Sequence, residues 1–578
     1  MPSEQIDLVF DFEGEQLRFT DPIVQITAWS IDDVVLAIDQ AEQYAMAGCY
    51  VAGYVAYEAA PAFDSAMLVH DLIDQPLLWF GIFPAPARST DQPAANEFHM
   101  HDWRCDMSAQ EHVDAVSEIK KRIAAGLTYQ VNLTSRFTAD FVGYANALYE
   151  SMRRGLGGSY GAYFRIGETC IVSASPELFF RTESGTITTR PMKGTASRGR
   201  WLAEDWVAQD GLRNSAKNRA ENVMIVDLLR SDLGKIGRLG SVRVPSLLGV
   251  ERYRTVHQLT STITAELADA TTLASIFRAL FPCGSITGAP KISSMGIIRD
   301  LERSPRGVYC GAIGFVKPGG AATFNVAIRT AVISRSTNTL TFGSGGGITW
   351  DSNAGDEYQE MRNKARVVTE KHPPFSLLET LLVDADGAYT LLRRHVNRLL
   401  QSASYFAIPV AERKVYSALN EIRSEQLGTP WRIRLLVSEL GDITVERHPL
   451  ATHVVPIQFA LADEPVSSTD VFLFHKTTRR DVYNKHRAAH PDVADVLLWN
   501  ECQELTEFTF ANVALELDGI LYTPPIASGL LAGTLRGEML DTGHLRERTL
   551  TADDLRHATR ILYINSVRGV LDAVLVEH

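Results

Sequence analysis

Four stretches in the first two-thirds of the chain gather polar residues in patterns that can do chemistry. In Ser175–Phe180 (SPELFF) and Arg190–Thr195 (RPMKGT), strand-forming residues flank each polar group, so Glu177 and Lys193 can face each other across a hairpin. Taken alone, such a pair is more often a surface ion pair. A buried lysine beside a cation or metal would instead have a lowered pKa and be a usable nucleophile. From Lys217, the run KNRAENVMIVDLLRSDLG puts Glu221, Ile225 and Leu228 on one helical face. Glu221 then points inward among apolar neighbours and needs a cation. In Gly345–Ala365 (GGGITWDSNAGDEYQEMRNKA), Glu357, Glu360 and Lys364 also share a face. Two carboxylates there with Glu221 opposite suit a hard, oxygen-coordinated ion such as Mg²⁺, although an exposed charge-laced helix is the commoner use of this spacing. The fourth stretch, Phe281–Met295 (FPCGSITGAPKISSM), has Gly and Ser/Thr before a helix, which leaves backbone N–H groups free for an anion; Arg329 in the later AIRT can clamp a carboxylate bidentately.

The elements that must position these groups alternate irregularly. Gly161–Ile166, Thr186–Thr189, Gly311–Val316 and Leu340–Phe342 read as strands, and His112–Ala125, Lys217–Ser231 and Ala274–Leu280 as helices. Pro84–Asn96 reads as an exposed loop, and Gly194–Arg200 as a turn after a strand. GGSYG (Gly157–Gly161) has the spacing of a hydrolase nucleophile elbow. It is set aside because a helix-like run precedes it and a strand-like run follows, the reverse of what that motif needs. A charged helical run ends at His372-Pro373-Pro374, where two prolines stop it. The expected division is therefore a domain over residues 1–371, a linker over 372–374 and a second domain over 375–578. The second opens as a strand, a turn at Asp386-Gly387, another strand and an amphipathic helix. Taken alone, its Lys476 (in HKTTRRDVY) reads as a surface lysine and its Arg398 as a helix-face solubiliser; LTEFTFAN, with Glu507, and SGLLAGTLRGEML, with Gly533-Thr534, follow. The expected class is mixed α+β throughout.

Composition narrows the partners. With 578 residues, several domains are expected at roughly 150 residues each. A net charge of -13 and no basic tract argue against nucleic acid. No apolar run approaches the roughly 18 residues that span a bilayer, and the acidic start MPSEQIDLVFDFEGE is unlike a signal peptide. Six scattered cysteines suit a reduced compartment. The chain reads as cytoplasmic, with neither membrane nor nucleic acid as partner.

The joint order of YQVNL, SPELFF, KNRAEN, HQLTSTI, GSITGAPK, AIRT and EYQEMRNKA, from about Tyr50 to Glu370, resembles the chorismate-utilising enzymes. That family includes anthranilate synthases, aminodeoxychorismate synthases, and isochorismate and salicylate synthases. The resemblance implies a large α/β sandwich with the active site between two halves. It implies Mg²⁺ held by Glu221 and Glu360 with Glu357 close by, and the enolpyruvyl carboxylate bound by Tyr309, Arg329, Lys364 and the backbone around Gly346. It also implies Thr287 along the ring and His257 near the departing hydroxyl. A lysine at position 193 resembles the aminodeoxychorismate synthases, whereas anthranilate synthases usually carry alanine there. By that resemblance Lys193 attacks the ring and expels the 4-hydroxyl, ammonia enters and displaces the lysine, and Glu177 is the general acid and base. None of the six cysteines has the strand-to-helix context of a glutaminase nucleophile, so a separate glutamine amidotransferase subunit is expected to supply ammonia.

Residues 375–578 resemble the class IV aminotransferases, fold-type IV pyridoxal-phosphate enzymes that include aminodeoxychorismate lyases. The resemblance implies that Lys476 forms the Schiff base and then moves the proton, and that Glu507 keeps the pyridine nitrogen protonated. Arg398 and the backbone of Gly533-Thr534 would bind the phosphate, and Thr380 would assist proton handling. Together the two resemblances imply a bifunctional route from chorismate to 4-aminobenzoate for folate biosynthesis. The alternatives are an anthranilate-type synthase fused to an aminotransferase, or a synthase carrying a non-catalytic second module.

Overall fold

The computed structural model describes residues 5–87, 97–157, 159–423, 429–450 and 455–576. Residues 88–96 of the expected Pro84–Asn96 loop, and Gly158 of GGSYG, lie outside them. The chain forms two compact units, one of residues 1–197 and 209–373, the other of residues 198–208 and 374–578. Both mix helix and strand.

The first unit is built on two antiparallel sheets. In one, Gln130–Gly143 pairs Thr339–Ile348, which continues through Thr330–Ser334 and Thr169–Ser175 to Tyr160–Ile166 and Ile6–Phe12. The other runs from Met192–Ser197 through Val256–Glu266, Thr186–Arg190, Leu178–Glu183 and Ala322–Val326 to Ala312–Val316 and Tyr50–Val55. Strand alternation explains the layering. Ile6–Phe12 buries every second residue, and Phe10 meets Phe164 and Phe315 edge-on at 5.1 and 5.3 Å. Those rings join residues of both sheets into one apolar cluster. The outer faces are covered by helices: Ile31–Met46, Ala216–Gly234 and Leu273–Leu280 on one, Ala145–Leu156 and Ala354–Thr369 on the other.

Two chain segments cross from sheet to sheet and carry functional candidates. Ser175-Pro176-Glu177-Leu178 joins Thr169–Ser175 to Leu178–Glu183, and Ala327–Arg329 joins Ala322–Val326 to Thr330–Ser334. They are bonded together: the Val326 N–H donates to the Glu177 carbonyl (3.0 Å), the Ser175 hydroxyl to the Val326 carbonyl (2.6 Å), and the Ala174 N–H to the Arg329 carbonyl (3.1 Å). Arg329 itself takes a left-handed φ of 50°.

In the second unit, the antiparallel sheet Leu377–Val383, Trp431–Val437 and Ile443–Pro449 packs on the helices Leu392–Phe406 and Glu412–Arg423. A mixed sheet of eight strands follows, in which Leu505–Phe508 pairs both Asp495–Trp499 and Asn512–Leu517. Two expectations need correcting. Gly194–Ser197 extends the strand Met192–Ser197 instead of turning, and the segment after it belongs to the second unit. There Trp201 stacks on Phe474 at 5.2 Å, Arg198 pairs with Asp205 and lies 4.1 Å over the Tyr405 ring, and the Tyr405 hydroxyl donates to the Gly199 carbonyl (2.7 Å). After Asp386-Gly387, the expected second strand is only a single bridge, Val383 to Tyr389, before the helix at Leu392 begins.

Candidate active sites

The first pocket lies in the first unit. It is lined by both crossovers, the end strand with Lys193, the helix with Glu221, the strand Gly343–Gly347 and the helix with Glu357, Glu360 and Lys364. Glu177 sits one residue before the hairpin of Leu178–Glu183 with Thr186–Arg190, and Lys193 three residues past it, so both emerge at its same end. Glu177 is buried, and its Oε1 accepts a 2.6 Å hydrogen bond from the Ser285 hydroxyl. Burial pushes this carboxyl up to about 7, against the pull of Ser285 and of the Lys193 charge. Burial lowers the Lys193 amine, with Lys364 adding repulsion and Glu221 and Glu177 opposing it.

The helix Ala354–Thr369 starts cleanly because Asn353 caps the N–H groups of Gly355 and Asp356 (2.9 and 3.2 Å). It turns Glu357, Glu360 and Lys364 into the pocket. Glu357 accepts from Ser352 (2.8 Å) and stands 3.8 Å from Lys217, while Glu360 pairs with Lys364 at 2.7 Å. Among the described residues no three His, Cys, Asp or Glu side chains gather as a ready metal cluster. The donor chemistry nonetheless fits a hard divalent cation. Burial raises Glu221 and Glu357, and repulsion from Glu360 adds to both, so a cation between these oxygens would relieve each of them.

The opposite wall suits a carboxylate. Arg329 donates to the Lys364 carbonyl (2.9 Å), and Lys364 to the Gly345 carbonyl (2.9 Å). The strand beside them must be glycine-rich: a Cβ at Gly343 would lie 2.1 Å from the Tyr309 ring, and one at Gly347 would lie 3.1 Å from Lys193 Nζ. Tyr309 and Gly346 also line the pocket.

Two expected residues are not brought in. His257 is buried on Val256–Glu266 but does not line the pocket; its neighbour Gln258 does, bonded to Thr195 at 3.1 Å. The pleat alternates, so His257 faces away where Gln258 faces in. Thr287 turns its hydroxyl back to the Cys283 carbonyl (3.1 Å), and Ser285 and Ile286 line the pocket instead. Lys217, Asn218, Asn132 and Ser285 were missed; Lys217 and Asn218 sit one helical turn before Glu221, a spacing that could have flagged them.

The second pocket lies within the second unit and holds Lys476, Glu507, Arg398, Thr380, Gly533 and Thr534 together. Burial, with Arg398 and Arg480 nearby, pushes the Lys476 amine down to about 8. Glu507 accepts from the Tyr483 hydroxyl (2.8 Å), the Leu531 N–H (3.1 Å) and the Asn512 amide (3.1 Å), and burial pushes it up to about 7. Arg398 is clamped on both oxygens of Glu379 (2.8 and 2.6 Å), which these bonds hold down at about 2 despite burial. Gly533 precedes the helix Thr534–Asp541, and a Cβ there would lie 1.9 Å from Asn512 Oδ1. An amine with a lowered pKa, a partner carboxyl across the pocket and an arginine beside a helix start fit pyridoxal phosphate. Tyr483, Asn512 and Glu379 went unnoticed in the sequence because their partners lie up to 24 residues away.

Comparison with known proteins finds two family matches along the chain. Residues 7–370 match the chorismate binding enzymes, and residues 376–576 match amino-transferase class IV. Aminodeoxychorismate synthase component 1 of Klebsiella aerogenes is 42% identical over 262 residues, 45% of this chain and 58% of that protein. The chain spans about three-fifths of the length of such synthase relatives. Anthranilate synthase component 1 of Methanothermobacter marburgensis is 34% identical over 341 residues, 55% of this chain and 73% of that protein. Among solved structures, the menaquinone-specific isochorismate synthase of Escherichia coli shares the fold over 63% of this chain and 89% of its own, with a TM-score of 0.52 at 20% identity.

Proposed function

We propose, from the premise that the chain belongs to the chorismate binding enzymes, that its first unit aminates chorismate at the 4-position and its class IV unit releases pyruvate from the product to give 4-aminobenzoate. The observation that carries the reading is Lys193, an amine with a lowered pKa inside a carboxylate-lined pocket and beside a carboxyl held near neutrality. The functional limits follow the sequence expectation, 1–371 for the synthase and 375–578 for the lyase.

The Lys193 lone pair attacks the ring carbon next to the one bearing the carboxylate. Both ring double bonds shift, and the 4-hydroxyl leaves with the Glu177 proton as water. Ammonia then adds at the 4-carbon, the double bonds shift back, and the carbon–Lys193 bond breaks; Glu177 takes the surplus proton. Arg329, Lys364 and the Gly345–Gly347 backbone hold the enolpyruvyl carboxylate. Mg²⁺ held by Glu221, Glu357 and Glu360 would bind the ring carboxylate and draw negative charge from it. In the second pocket, pyridoxal phosphate supplies an electron sink. Lys476 would carry and move the proton there, Glu507 would hold the pyridine nitrogen protonated, and Arg398 with Gly533-Thr534 would bind the phosphate. Thr380 lines the same pocket and would assist the proton handling. Ammonia comes from a separate glutamine amidotransferase; the name component 1 carried by the relatives speaks for a partner component of some kind.

The likeness to anthranilate synthase favours a second reading, 2-amination. Lys193 counts against it, because the covalent route needs this amine. Among the described residues no helix is long and apolar enough to cross a membrane. Incubating the chain with chorismate and Mg²⁺ but no ammonium, then digesting it for mass spectrometry, tests the route. A ring adduct on the Lys193 peptide, absent from Lys193→Ala, is expected; an unmodified peptide without ammonium, from a preparation that aminates chorismate once ammonium is added, counts against the covalent step.

A further inference from the structure

We infer that Ser285 is a positioning residue for Glu177: its hydroxyl fixes Oε1, so that the other carboxyl oxygen is left to exchange the proton with the leaving hydroxyl and the incoming amine. The inference rests on the acid–base reading of Glu177 given above.

Glu177 has little freedom apart from its side chain. Its N–H donates to Ser175 Oγ (3.2 Å) and its carbonyl accepts from Val326 (3.0 Å), so the backbone is pinned on both sides. The residue is 2% exposed, so its carboxyl needs a donor in place of water. Ser285 reaches it from the 3-10 turn Gly284–Ile286, with Oγ 2.6 Å from Oε1. A hydroxyl has one proton, and Glu177 takes it. The Ser285 oxygen still accepts, and Cys283 Sγ lies 3.2 Å away, itself buried, to give its S–H. The donor chain therefore runs in one direction, from Cys283 to Ser285 to Glu177.

The groups facing the Glu177 carboxyl are few. Lys193 and the Met192 N–H approach from the strand Met192–Ser197, and Ser285 with Cys283 from the turn. Lys193 and Ser285 favour the ionised carboxyl, and burial opposes them. Ser285 sits 108 residues from Glu177 in sequence and lines the pocket without carrying charge. Its work is to aim one oxygen and to stop the carboxyl from climbing further.

The test is the pH dependence of kcat/KM for ammonium-dependent chorismate amination. Ser285→Ala removes the donor, and Ser285→Cys weakens it at nearly the same volume. Both should move the alkaline inflection assigned to Glu177 upward, by about one pH unit for Ser285→Ala. Ser285→Thr, which keeps the hydroxyl, should restore the wild-type inflection. Activity lost in Ser285→Ala and Ser285→Cys with the inflection unmoved would overturn the inference and leave Ser285 a packing residue. Glu177→Gln separates the two claims: if it retains the wild-type rate and profile, the acid–base reading itself fails, whatever the Ser285 variants do.

Discussion

Burial drives Lys193 and Glu177 toward their neutral forms, the amine down and the carboxyl up to about 7. A carboxyl there can give a proton to a leaving hydroxyl and take one back from an amine. Glu177→Gln should therefore lower kcat by ~10²–10⁴-fold, with the KM for chorismate little changed, as steady-state kinetics would measure. Glu58 shows the same physics without a role in the pocket. It accepts the N–H groups of Arg306 (2.6 Å) and Gly307 (2.9 Å), yet burial pushes it up to about 7. A raised carboxyl favours the folded state fully below its unfolded pKa, and that contribution is lost as pH rises through 7. Glu58→Gln, uncharged throughout, should flatten the decline in urea midpoint between about pH 4.5 and 7. At this scale, Glu177, Lys193, Glu221 and Arg329 were legible because each sits in a short motif with a local reason to be polar. His257 and Thr287 do not line the pocket, because a pleat and a backbone carbonyl, both invisible in a linear motif, turn them away.

Elements set how close these groups can come. The strand Thr339–Ile348 carries glycines where Tyr309 and Lys193 press on it, and this need comes from neighbours far along the chain. Gly343→Ala would place a methyl 2.1 Å from the Tyr309 ring. It should cost ~1–3 kcal/mol of stability, read as a lower denaturation midpoint, and should weaken chorismate binding by displacing Tyr309. Strand and helix cores were legible from periodicity, as in Ala216–Gly234 and Tyr160–Ile166. The path of residues 198–208 was not, because Gly, Ser and Arg after a strand signal a turn, whereas Trp201 and Arg198 find their aromatic partners more than 200 residues later. Trp201→Ala should destabilise the second unit by ~1–3 kcal/mol, seen in its own unfolding transition with the synthase rate retained.

Over the whole molecule, two family matches meet within six residues of each other, at 370 and 376. The mixed α+β class was legible from the irregular alternation of strand-like and helix-like segments, and two prolines end a charged helix between the two matches. The family of each unit was legible only through the joint order of motifs, since single residues such as Lys476 carry no local signature of burial. The second pocket makes its own prediction: with pyridoxal phosphate added, the chain should develop a visible absorbance band that Lys476→Ala lacks. Arg398→Ala should weaken cofactor affinity by ~10-fold or more through the lost guanidinium contact. The central claim is that nitrogen enters at the 4-carbon. The direct measurement is chromatographic separation of the products formed from chorismate, Mg²⁺ and ammonium by the purified chain. The account predicts aminodeoxychorismate, converted to 4-aminobenzoate when pyridoxal phosphate is bound; anthranilate as the product would contradict it.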